Sequence, residues 1–221
     1  MFLLVDSPKR ILLLGLGAGS TFQQLRYFFP NVWIDGVDID PKMIEIGKRF
    51  FGLKRDKRSQ FIIQDARRFL HKTPHTYDVV AVNLTAGSIF IPFYMATQEA
   101  FQQMKRRMQA KGWMLMNIVD VSKTKELAGC ILHTAASVWR HVYSIRVGGN
   151  FVMLASNEPF SSLKVRKHLT ASRSKLKVMV SRSLKAIKAW NNKPPHGCQV
   201  WTDDHSQLEA TTFRTLKTLY P

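Results

Sequence analysis

The chain has 221 residues, of which 45% are hydrophobic, and 33 Lys and Arg against 15 Asp and Glu give it a formal net charge of +18. This composition can bury a core and excludes a disordered chain, and the length fits one domain with at most a modest extension. The charge exceeds what solubility requires. It favours anionic partners such as nucleic acid, an anionic membrane surface or an acidic protein, and it disfavours the accumulation of a free polycation.

Neither a membrane span nor a metal site is predicted. No apolar stretch approaches the roughly 18 residues that cross a bilayer, and the short apolar run in MFLLVDSPKR ends at a charge and a proline. The two cysteines, Cys130 and Cys198, and the histidines match no metal-ligand spacing. Two thiols in a chain of this length suggest a reducing compartment, with Cys130 as a small buried apolar group. We therefore expect a cytoplasmic protein.

Five strand-then-helix units follow one another along roughly the first 140 residues. The predicted strands lie at residues 11–14, 32–38, 61–63, 77–82 and 113–119. The predicted helices cover residues 21–29, a segment that starts at Pro41, residues 66–70, 92–108 and 124–140, and a Lys111-Gly112 turn precedes the fifth strand. This alternation predicts a parallel sheet with helices on both faces.

Large apolar side chains on the first two predicted helices are interpreted as core residues. The run Tyr27-Phe28-Phe29 is assigned to the helix core rather than to a platform for stacking bases. On the second helix, apolar side chains recur at helical spacing and supply one face: Met43, Ile44, Ile46, Phe50 and Phe51.

The series of units ends in a hairpin. His141–Val147 and Phe151–Ser156 are two β-rich runs joined by Gly148-Gly149-Asn150, and so short a loop requires antiparallel strands. The prediction is therefore an α/β fold in which a parallel sheet ends in an antiparallel hairpin, seven strands in all, with helices on both faces. This arrangement resembles the Rossmann-like class I methyltransferase fold.

A basic segment follows the hairpin. Residues 161–193 hold ten Lys or Arg and no Asp or Glu, so they carry +10 of the net charge. Apolar residues recur there at three- and four-residue steps, which predicts one or two amphipathic helices ended by Pro194-Pro195. The chain is accordingly divided into an α/β core (1–160), a basic helical insert (161–195) and a C-terminal segment that packs on the core (196–221). Two interpretations of the insert stay open: a solvated face, or a surface for nucleic acid or an anionic membrane.

A glycine loop connects the first strand to the first helix. Its sequence, Gly15-Leu16-Gly17-Ala18-Gly19-Ser20, allows a sharp turn and a close approach of ligand to the main chain. Dinucleotide enzymes use G-x-G-x-x-G, whose third glycine would fall at Ser20. The G-x-G-x-G spacing more closely resembles the loop that holds the amino-acid end of S-adenosylmethionine.

Asp38 strengthens this interpretation. It lies 19 residues after Gly19, where the second strand ends, and a carboxylate there can accept hydrogen bonds from both ribose hydroxyls. The alternative role, a helix cap, is better filled by Asp40 before Pro41. We assign Asp38 and the adjacent Ile39 to nucleoside binding.

The segment Gln64-Asp65-Ala66 follows the third strand. In class I folds an acidic residue here accepts a hydrogen bond from the adenine amino group, and the next backbone N–H contacts a ring nitrogen. Asp65 could instead cap the helix Ala66–Leu70, and the two roles are compatible. The glycine loop, Asp38 and Asp65 thus follow one another along the sequence in the order of the groups that bind the nucleoside in class I folds.

The chain resembles the spermidine synthase (polyamine aminopropyltransferase) branch of this superfamily. The segments that carry the resemblance are GLGAG, VDIDP, QDARRFL, YDVV, the proline-led IPFYMATQEAF (91–101) and Thr202-Asp203-Asp204. It covers residues 9–156 and the tail, and it excludes the basic insert. The resemblance implies binding of S-adenosylmethionine or its decarboxylated form, with S-adenosylhomocysteine or methylthioadenosine as the product. It also assigns Thr85, Asp203 and Asp204 to substrate binding.

Two departures from the family bear on activity. The first predicted strand begins near residue 10, so we expect the family's N-terminal β-domain to be absent. The family's catalytic aspartate at the end of the fourth strand corresponds to Asn83. An amide cannot act as a general base near neutral pH, and the loss of a general base costs on the order of 10²–10⁴ in rate.

Three hypotheses follow. The chain is a spermidine synthase-like transferase whose aminopropyl transfer Asn83 disfavours; a methyltransferase acting on nucleic acid or another anionic substrate; or a nucleoside-binding module without catalysis. In some methyltransferases an asparagine at this position holds a target amine, but Leu84-Thr85-Ala86 lacks the Pro-Pro-Tyr that usually follows it. Methyl transfer depends mainly on in-line placement, so a missing base harms it less. A homo-oligomer is compatible with each.

Overall fold

A mixed sheet of eight strands organises the protein. The computed structural model describes residues 8–84, 91–120, 125–147, 150–161, 186–191 and 193–217. The elements are β1 (Arg10–Leu14), α1 (Ser20–Phe28), β2 (Trp33–Asp38), α2 (Pro41–Phe50), β3 (Ser59–Ile63), α3 (Ala66–Lys72), β4 (Tyr77–Val82), a 3₁₀ turn (Phe93–Met95), α4 (Gln98–Arg106), β5 (Met108–Val119), α5 (Glu126–Ala136), β6 (His141–Val147), β7 (Asn150–Ser156), β8 (Lys188–Ala189) and α6 (Leu208–Lys217). None of the helices within these ranges is long and apolar enough to cross a membrane.

The strand order is β3-β2-β1-β4-β5-β7-β6-β8. The first five strands pair in parallel, and β7 lies antiparallel between β5 and β6. This confirms the predicted Rossmann-like methyltransferase fold with its terminal hairpin. The predicted count of seven strands was one too low, because Lys188–Ala189 adds a short antiparallel strand beside β6. Those two residues were assigned to a helical insert, so that assignment is wrong for them, whereas residues 162–185 lie outside the described residues.

Side chains from alternate positions of each central strand enter two separate cores. In β1, Leu12 and Leu14 pack on one face of the sheet with α3, α4 and α5. Ile11 and Leu13 pack on the other face with α1 and α2. A strand that is covered on both faces must be apolar at every position, which explains the continuous apolar run of residues 11–14 in β1.

A buried polar cluster joins β1, β2 and β4 near the edge of the sheet where these strands begin. Asp35 is 1% exposed, and Arg10 forms a salt bridge of 2.8 Å with its carboxylate. The Tyr77 hydroxyl and Trp33 Nε1 donate to the same carboxylate at 2.9 and 2.8 Å. Burial, reinforced by the Asp35 charge, raises the pKa of Tyr77, so the phenol stays a neutral donor. The charge of Asp35 is thereby paired and fully hydrogen-bonded, as a buried carboxylate requires.

The predicted helix over residues 92–108 is shorter in the structure. Pro92 precedes a 3₁₀ turn, and the Thr97 side chain accepts a hydrogen bond from the Ala100 N–H to cap α4. Met108 pairs with Tyr77 at the start of β5, and the register shifts between Tyr77 and Val79. The predicted Lys111-Gly112 turn is therefore wrong, because this irregular pairing extends β5 back through those residues.

Several aromatic side chains that were assigned to the core are exposed. The sheet-facing side of α1 is filled by Phe22 and Leu25, which leaves Tyr27 and Phe28 in solvent. In α2 only Ile44 and Gly47 are buried. Ile46, Phe50 and Phe51 are exposed, so the predicted apolar face of α2 is only partly a core face.

A disulfide joins α5 to the segment that precedes α6. Cys130, which is 2% exposed, is bonded to Cys198, and their Cα atoms lie 5.4 Å apart. The interpretation of Cys130 as a free buried thiol is therefore wrong. The two cysteines are 68 positions apart in the sequence, and only the fold brings them together. Two free thiols were one argument for a cytoplasmic location. The disulfide removes that argument, since disulfides persist mainly in oxidising compartments.

The C-terminal segment lies across α4 and α5. Trp201 is buried. Its backbone N–H donates to Thr134 Oγ1 at 3.1 Å, and its backbone carbonyl accepts from the Gln98 N–H at 2.7 Å. Arg214 of α6 forms a 2.7 Å salt bridge with Glu126 of α5. These contacts and the disulfide fix the position of α6 relative to the sheet.

We predict that Cys198→Ser lowers the free energy of unfolding by about 2–4 kcal/mol, because the disulfide closes a long loop in the unfolded chain. Urea unfolding of the variant and of the wild type measures this difference. Dithiothreitol should lower the wild type to the level of the variant and leave the variant unchanged. A wild type insensitive to the reductant would contradict the assigned disulfide.

Candidate functional site

A cleft of about 1160 Å³ lies at the edge of the sheet where β1, β2, β3 and β4 end. The strand order reverses beside β1, whose neighbours are β2 and β4. The loops that leave β1 and β4 therefore diverge, which opens a crevice at the point where open α/β sheets bind ligands. The lining comes from the glycine loop and from residues 37–40, 64–66, 83–84 and 91–95, together with Glu209 and Phe213 of α6.

The glycine loop is required by close packing. Gly15 has φ +88°, and a Cβ there would lie 2.3 Å from the carbonyl oxygen of Asn83. Gly19 has φ +90°, and its Cβ would lie 2.5 Å from the Leu53 side chain. No other residue type fits either position without strain, so the loop can lie flat beside the end of β4.

Four N–H groups of this loop are already bonded within the protein, and those of Gly15 and Leu16 donate to the Val37 carbonyl at 2.9 and 3.1 Å. The Gly17 N–H donates to Asp38 Oδ2 at 2.7 Å, and the Gly19 N–H donates to the Leu16 carbonyl at 3.0 Å. Ser20 and Thr21, in the first turn of α1, line the cleft. The N–H groups of a first turn have no acceptor within their own helix and carry a partial positive charge. This turn can therefore receive an anionic group of a ligand.

Asp38 is oriented by its backbone contacts. Besides the bond from Gly17, its Oδ1 accepts the Asp40 N–H at 3.0 Å. An ionised carboxylate has about four acceptor positions, so two remain for hydroxyl groups in the cleft. Asp40 caps α2 through the Lys42 N–H at 2.8 Å, as predicted. The adjacent Ile39 lines the same cleft with an exposed aliphatic surface.

Asp65 joins α3 to the opposite wall of the cleft. Its Oδ1 caps α3 by accepting the Arg68 N–H at 2.9 Å, and its Oδ2 accepts the Tyr94 hydroxyl at 3.0 Å. Partial burial and this bond to Asp65 raise the pKa of Tyr94, so the phenol remains a donor at neutral pH. Ala66, at the first position of α3, completes this wall.

Asn83 follows β4 and is exposed in the cleft beside Gly15. Its Oδ1 accepts from Asn117 Nδ2 at 3.2 Å, and Asn117 Oδ1 accepts from Asn150 Nδ2 at 3.2 Å. The three amides connect the ends of β4 and β5 to the start of β7. Among the described residues, the carboxylates that line the cleft are those of Asp38, Asp40, Asp65 and Glu209.

Asp203 lies beside the cleft rather than in its lining. It receives two hydrogen bonds from Arg67, at 3.1 and 2.7 Å, and one of 2.6 Å from Thr97 Oγ1. Arg67 also donates to the Tyr94 carbonyl. Asp203, Arg67, Tyr94 and Asp65 thus form a continuous brace from the C-terminal segment to the cleft. Asp204 is exposed, and Thr85 lies outside the described residues.

The contribution of α6 to the cleft was missed by the sequence analysis. Glu209 and Phe213 are one helical turn apart and both line the cleft. Neither residue belongs to a motif with fixed spacing from the glycine loop. Only the anchoring of Trp201, Asp203 and the disulfide shows that this helix reaches the site.

The brace predicts a specific pH dependence of stability. Partial burial disfavours the charged form of Asp203, but the hydrogen bonds from Arg67 and Thr97 outweigh it and hold the pKa of the carboxyl below its usual value. A lowered pKa stabilises the fold above the unfolded-state value of about 3.9, and this stabilisation is lost as the pH falls through the folded-state value.

We therefore predict that Asp203→Asn lowers the free energy of unfolding by about 0.5–1 kcal/mol near neutral pH, since the pair is partly exposed to solvent. The deficit relative to the wild type should shrink below about pH 4. Urea unfolding from about pH 7 to about pH 3 measures both, with Asp204→Asn as the matched control. An equal loss of unfolding free energy in both variants would show that the bonds from Arg67 and Thr97 to Asp203 add no stability.

Comparison with known proteins identifies the family of this chain. Residues 2–147 match the family described as "Spermine/spermidine synthase domain". The polyamine aminopropyltransferase of Vibrio vulnificus is 27% identical over 154 residues, which cover 67% of this chain and 50% of that protein. The eEF1A lysine and N-terminal methyltransferase homolog of Drosophila melanogaster is 30% identical over 122 residues, 52% of this chain and 18% of that protein. The chain spans about half the length of the bacterial relative and less of the insect one.

Two solved structures share the fold. A probable spermidine synthase from Corynebacterium glutamicum superposes with a TM-score of 0.69 at 22% identity, over 89% of this chain and 73% of that one. Human methyltransferase-like protein 13 in complex with SAH superposes with a TM-score of 0.67 at 21% identity, over 86% of this chain and 91% of that one. The family match covers well over half of the chain, so this protein belongs to the spermine/spermidine synthase domain family.

Proposed function

We propose that the chain binds an S-adenosylmethionine-type nucleoside in this cleft and transfers a group from its sulfonium to an acceptor. The observation that carries the proposal is the convergence of the glycine loop, Asp38 and Asp65 in one cleft. Membership of the spermine/spermidine synthase domain family supports it. So does the SAH complex of human methyltransferase-like protein 13, whose fold this chain shares.

Each part of such a nucleoside finds a complementary group. The ribose hydroxyls would donate to the free acceptor positions of Asp38. The adenine would lie against Ile39, with its edge toward Asp65 and the Ala66 N–H. The carboxylate of S-adenosylmethionine, a group that the decarboxylated form lacks, would face the first turn of α1 at Ser20 and Thr21. The sulfonium then lies between these ends, near Asn83 and Gly15.

Group transfer from a sulfonium is a displacement at carbon. The acceptor's lone pair forms a bond to that carbon, the carbon–sulfur bond breaks, and its electron pair remains on sulfur as a neutral thioether. An amine must be neutral to offer this lone pair, so a protonated amine must first lose a proton. Asn83 cannot take it, so an amine acceptor that enters past Asn83 must arrive neutral or release its proton to water.

This constraint separates two candidate reactions. The bacterial relative is named for aminopropyl transfer, a reaction that would use decarboxylated S-adenosylmethionine and would lack the family's base here. Methyl transfer from S-adenosylmethionine is harmed less by the missing base, because it depends mainly on in-line placement of the acceptor. The methyltransferase relatives support it as the second candidate.

We further propose that residues 161–193 dock an anionic partner, nucleic acid or a membrane. The proposal is supported by their charge of +10 in the sequence. Residues 162–185 lie outside the described residues, so no contact of theirs supports it. A cytoplasmic location, a homo-oligomeric state and contact of Thr85, Asp203 or Asp204 with substrate remain predictions.

Calorimetric titration tests nucleoside binding. We expect the wild type to bind S-adenosylmethionine or its decarboxylated form, and Asp38→Ala to bind at least about tenfold more weakly, because hydrogen bonds to a charged acceptor are lost. Asp40→Asn, a change at a neighbouring carboxylate that caps α2, should bind within a few-fold of the wild type. Silence from both nucleosides, or equal affinity of Asp38→Ala, would contradict the proposal.

Mass spectrometry of products distinguishes the reactions. Incubation with each nucleoside and an amine acceptor should yield either a methylated or an aminopropylated product. Asn83→Asp should raise aminopropyl transfer by about 10²-fold or more if the only missing element is the base. Tight binding without turnover of either nucleoside would reject transferase activity and leave a nucleoside-binding module.

A further inference from the structure

A surface of exposed apolar side chains lies at the ends of α1 and α2, outside the cleft. We define the α1–α2 face by five side chains and give their exposed fractions: Tyr27 70%, Phe28 42%, Ile46 39%, Phe50 67% and Phe51 54%. Scattered apolar residues are normal on protein surfaces, but a contiguous group indicates an interaction site. The sequence pattern assigned these residues to the core, but the structure leaves them exposed.

Hydrogen bonds place the segment that follows α2 beside α1. Gln23 in the middle of α1 donates through Nε2 to the Phe51 carbonyl. Arg26, in the last turn of α1, pairs with Asp56 at 2.6 Å and donates to the Arg58 carbonyl at 3.1 Å. The end of α1 and residues 51–58 are therefore neighbours. Ile46 and Phe50 lie one turn apart on α2 and extend the surface.

The rim of this surface is strongly basic. Residues 42–58 contain seven Lys or Arg and two acidic residues. One of the two acids, Asp56, is paired with Arg26. Lys48, Arg49, Lys54 and Lys57 are exposed, and the Arg49 guanidinium lies 5.0 Å from the Phe50 ring centroid. The face thus combines apolar side chains with unneutralised positive charge.

This combination discriminates between partners. A second copy of the chain would bring two basic rims together, which is unfavourable for a protein of charge +18. A single strand of nucleic acid needs rings on which bases stack in succession. The Tyr27 and Phe28 rings are inclined at 82° to each other, and Ile46 has no aromatic face. Apolar side chains among lysines and arginines match the surface of an anionic bilayer.

We infer that the α1–α2 face docks on an anionic phospholipid membrane. The Phe50 and Phe51 rings enter the interface between headgroups and acyl chains, while the surrounding lysines contact lipid phosphates and carboxylates. Both helices run back from the cleft, since Phe28 and Phe51 lie toward the edge where β2 and β3 begin. The nucleoside cleft consequently stays open to solvent on the docked protein.

Vesicle flotation tests this inference. We expect the wild-type chain to float with phosphatidylcholine vesicles that contain about 30 mol% phosphatidylserine and not with phosphatidylcholine alone. Phe50→Ser/Phe51→Ser should bind the anionic vesicles at least about tenfold more weakly, because it removes the apolar contact and keeps every charge. Val147→Ser is the matched control: it changes an apolar side chain that is 60% exposed on β6, far from α1 and α2.

The double variant separates this face from the basic segment 161–193, whose charge it leaves intact. Wild-type affinity of the double variant for anionic vesicles would overturn the inference. The inference would also be overturned, in favour of nucleic acid, by a wild type that binds a single-stranded RNA oligonucleotide but no vesicles, if the double variant loses that RNA binding. The double variant should retain the wild-type unfolding midpoint and nucleoside affinity, so this test fails independently of the proposed function.

Discussion

The pairing of β1 with both β2 and β4 is the constraint on which the site depends. It places the ends of four parallel strands side by side and sends the following loops in opposite directions. Gly15 must then lie against the backbone of Asn83, at a distance that excludes a Cβ. Asp38 fixes the same loop from the other side through the Gly17 N–H. The cleft that we propose for a nucleoside is therefore shaped by the protein's own contacts.

The C-terminal segment turns this open crevice into a cleft with a further wall. The disulfide holds the segment on α5, and the pair between Asp203 and Arg67 holds it on α3. Arg67 in turn supports Tyr94, whose hydroxyl donates to Asp65. A residue near the end of the chain thus positions a carboxylate at the end of β3. The α1–α2 face lies toward the other edge of the sheet, so the proposed ligand cleft and the proposed docking face are separate parts of the fold.

Local pattern predicted the fold because parallel strands buried on both faces leave a continuous apolar run, as in β1, and because glycine and aspartate mark the strand ends. The order of the glycine loop, Asp38 and Asp65 likewise placed the cleft. The pattern failed where long-range contacts decide the outcome. Cys130 pairs with a residue 68 positions away, and Glu209 reaches the cleft only because distant contacts anchor α6. Helical spacing also could not show that Phe50 would lie exposed at the end of α2.

We propose that one nucleoside spans Asp38 and Asp65 with its sulfur near Asn83, and a crystal structure of the chain with S-adenosylhomocysteine would test this. In that structure we expect the ribose hydroxyls to donate to Asp38 and the adenine edge to face Asp65 and the Ala66 N–H. The sulfur should lie on the Asn83 side of the glycine loop. A nucleoside bound elsewhere, or bound in this cleft without contact to Asp38, would contradict it.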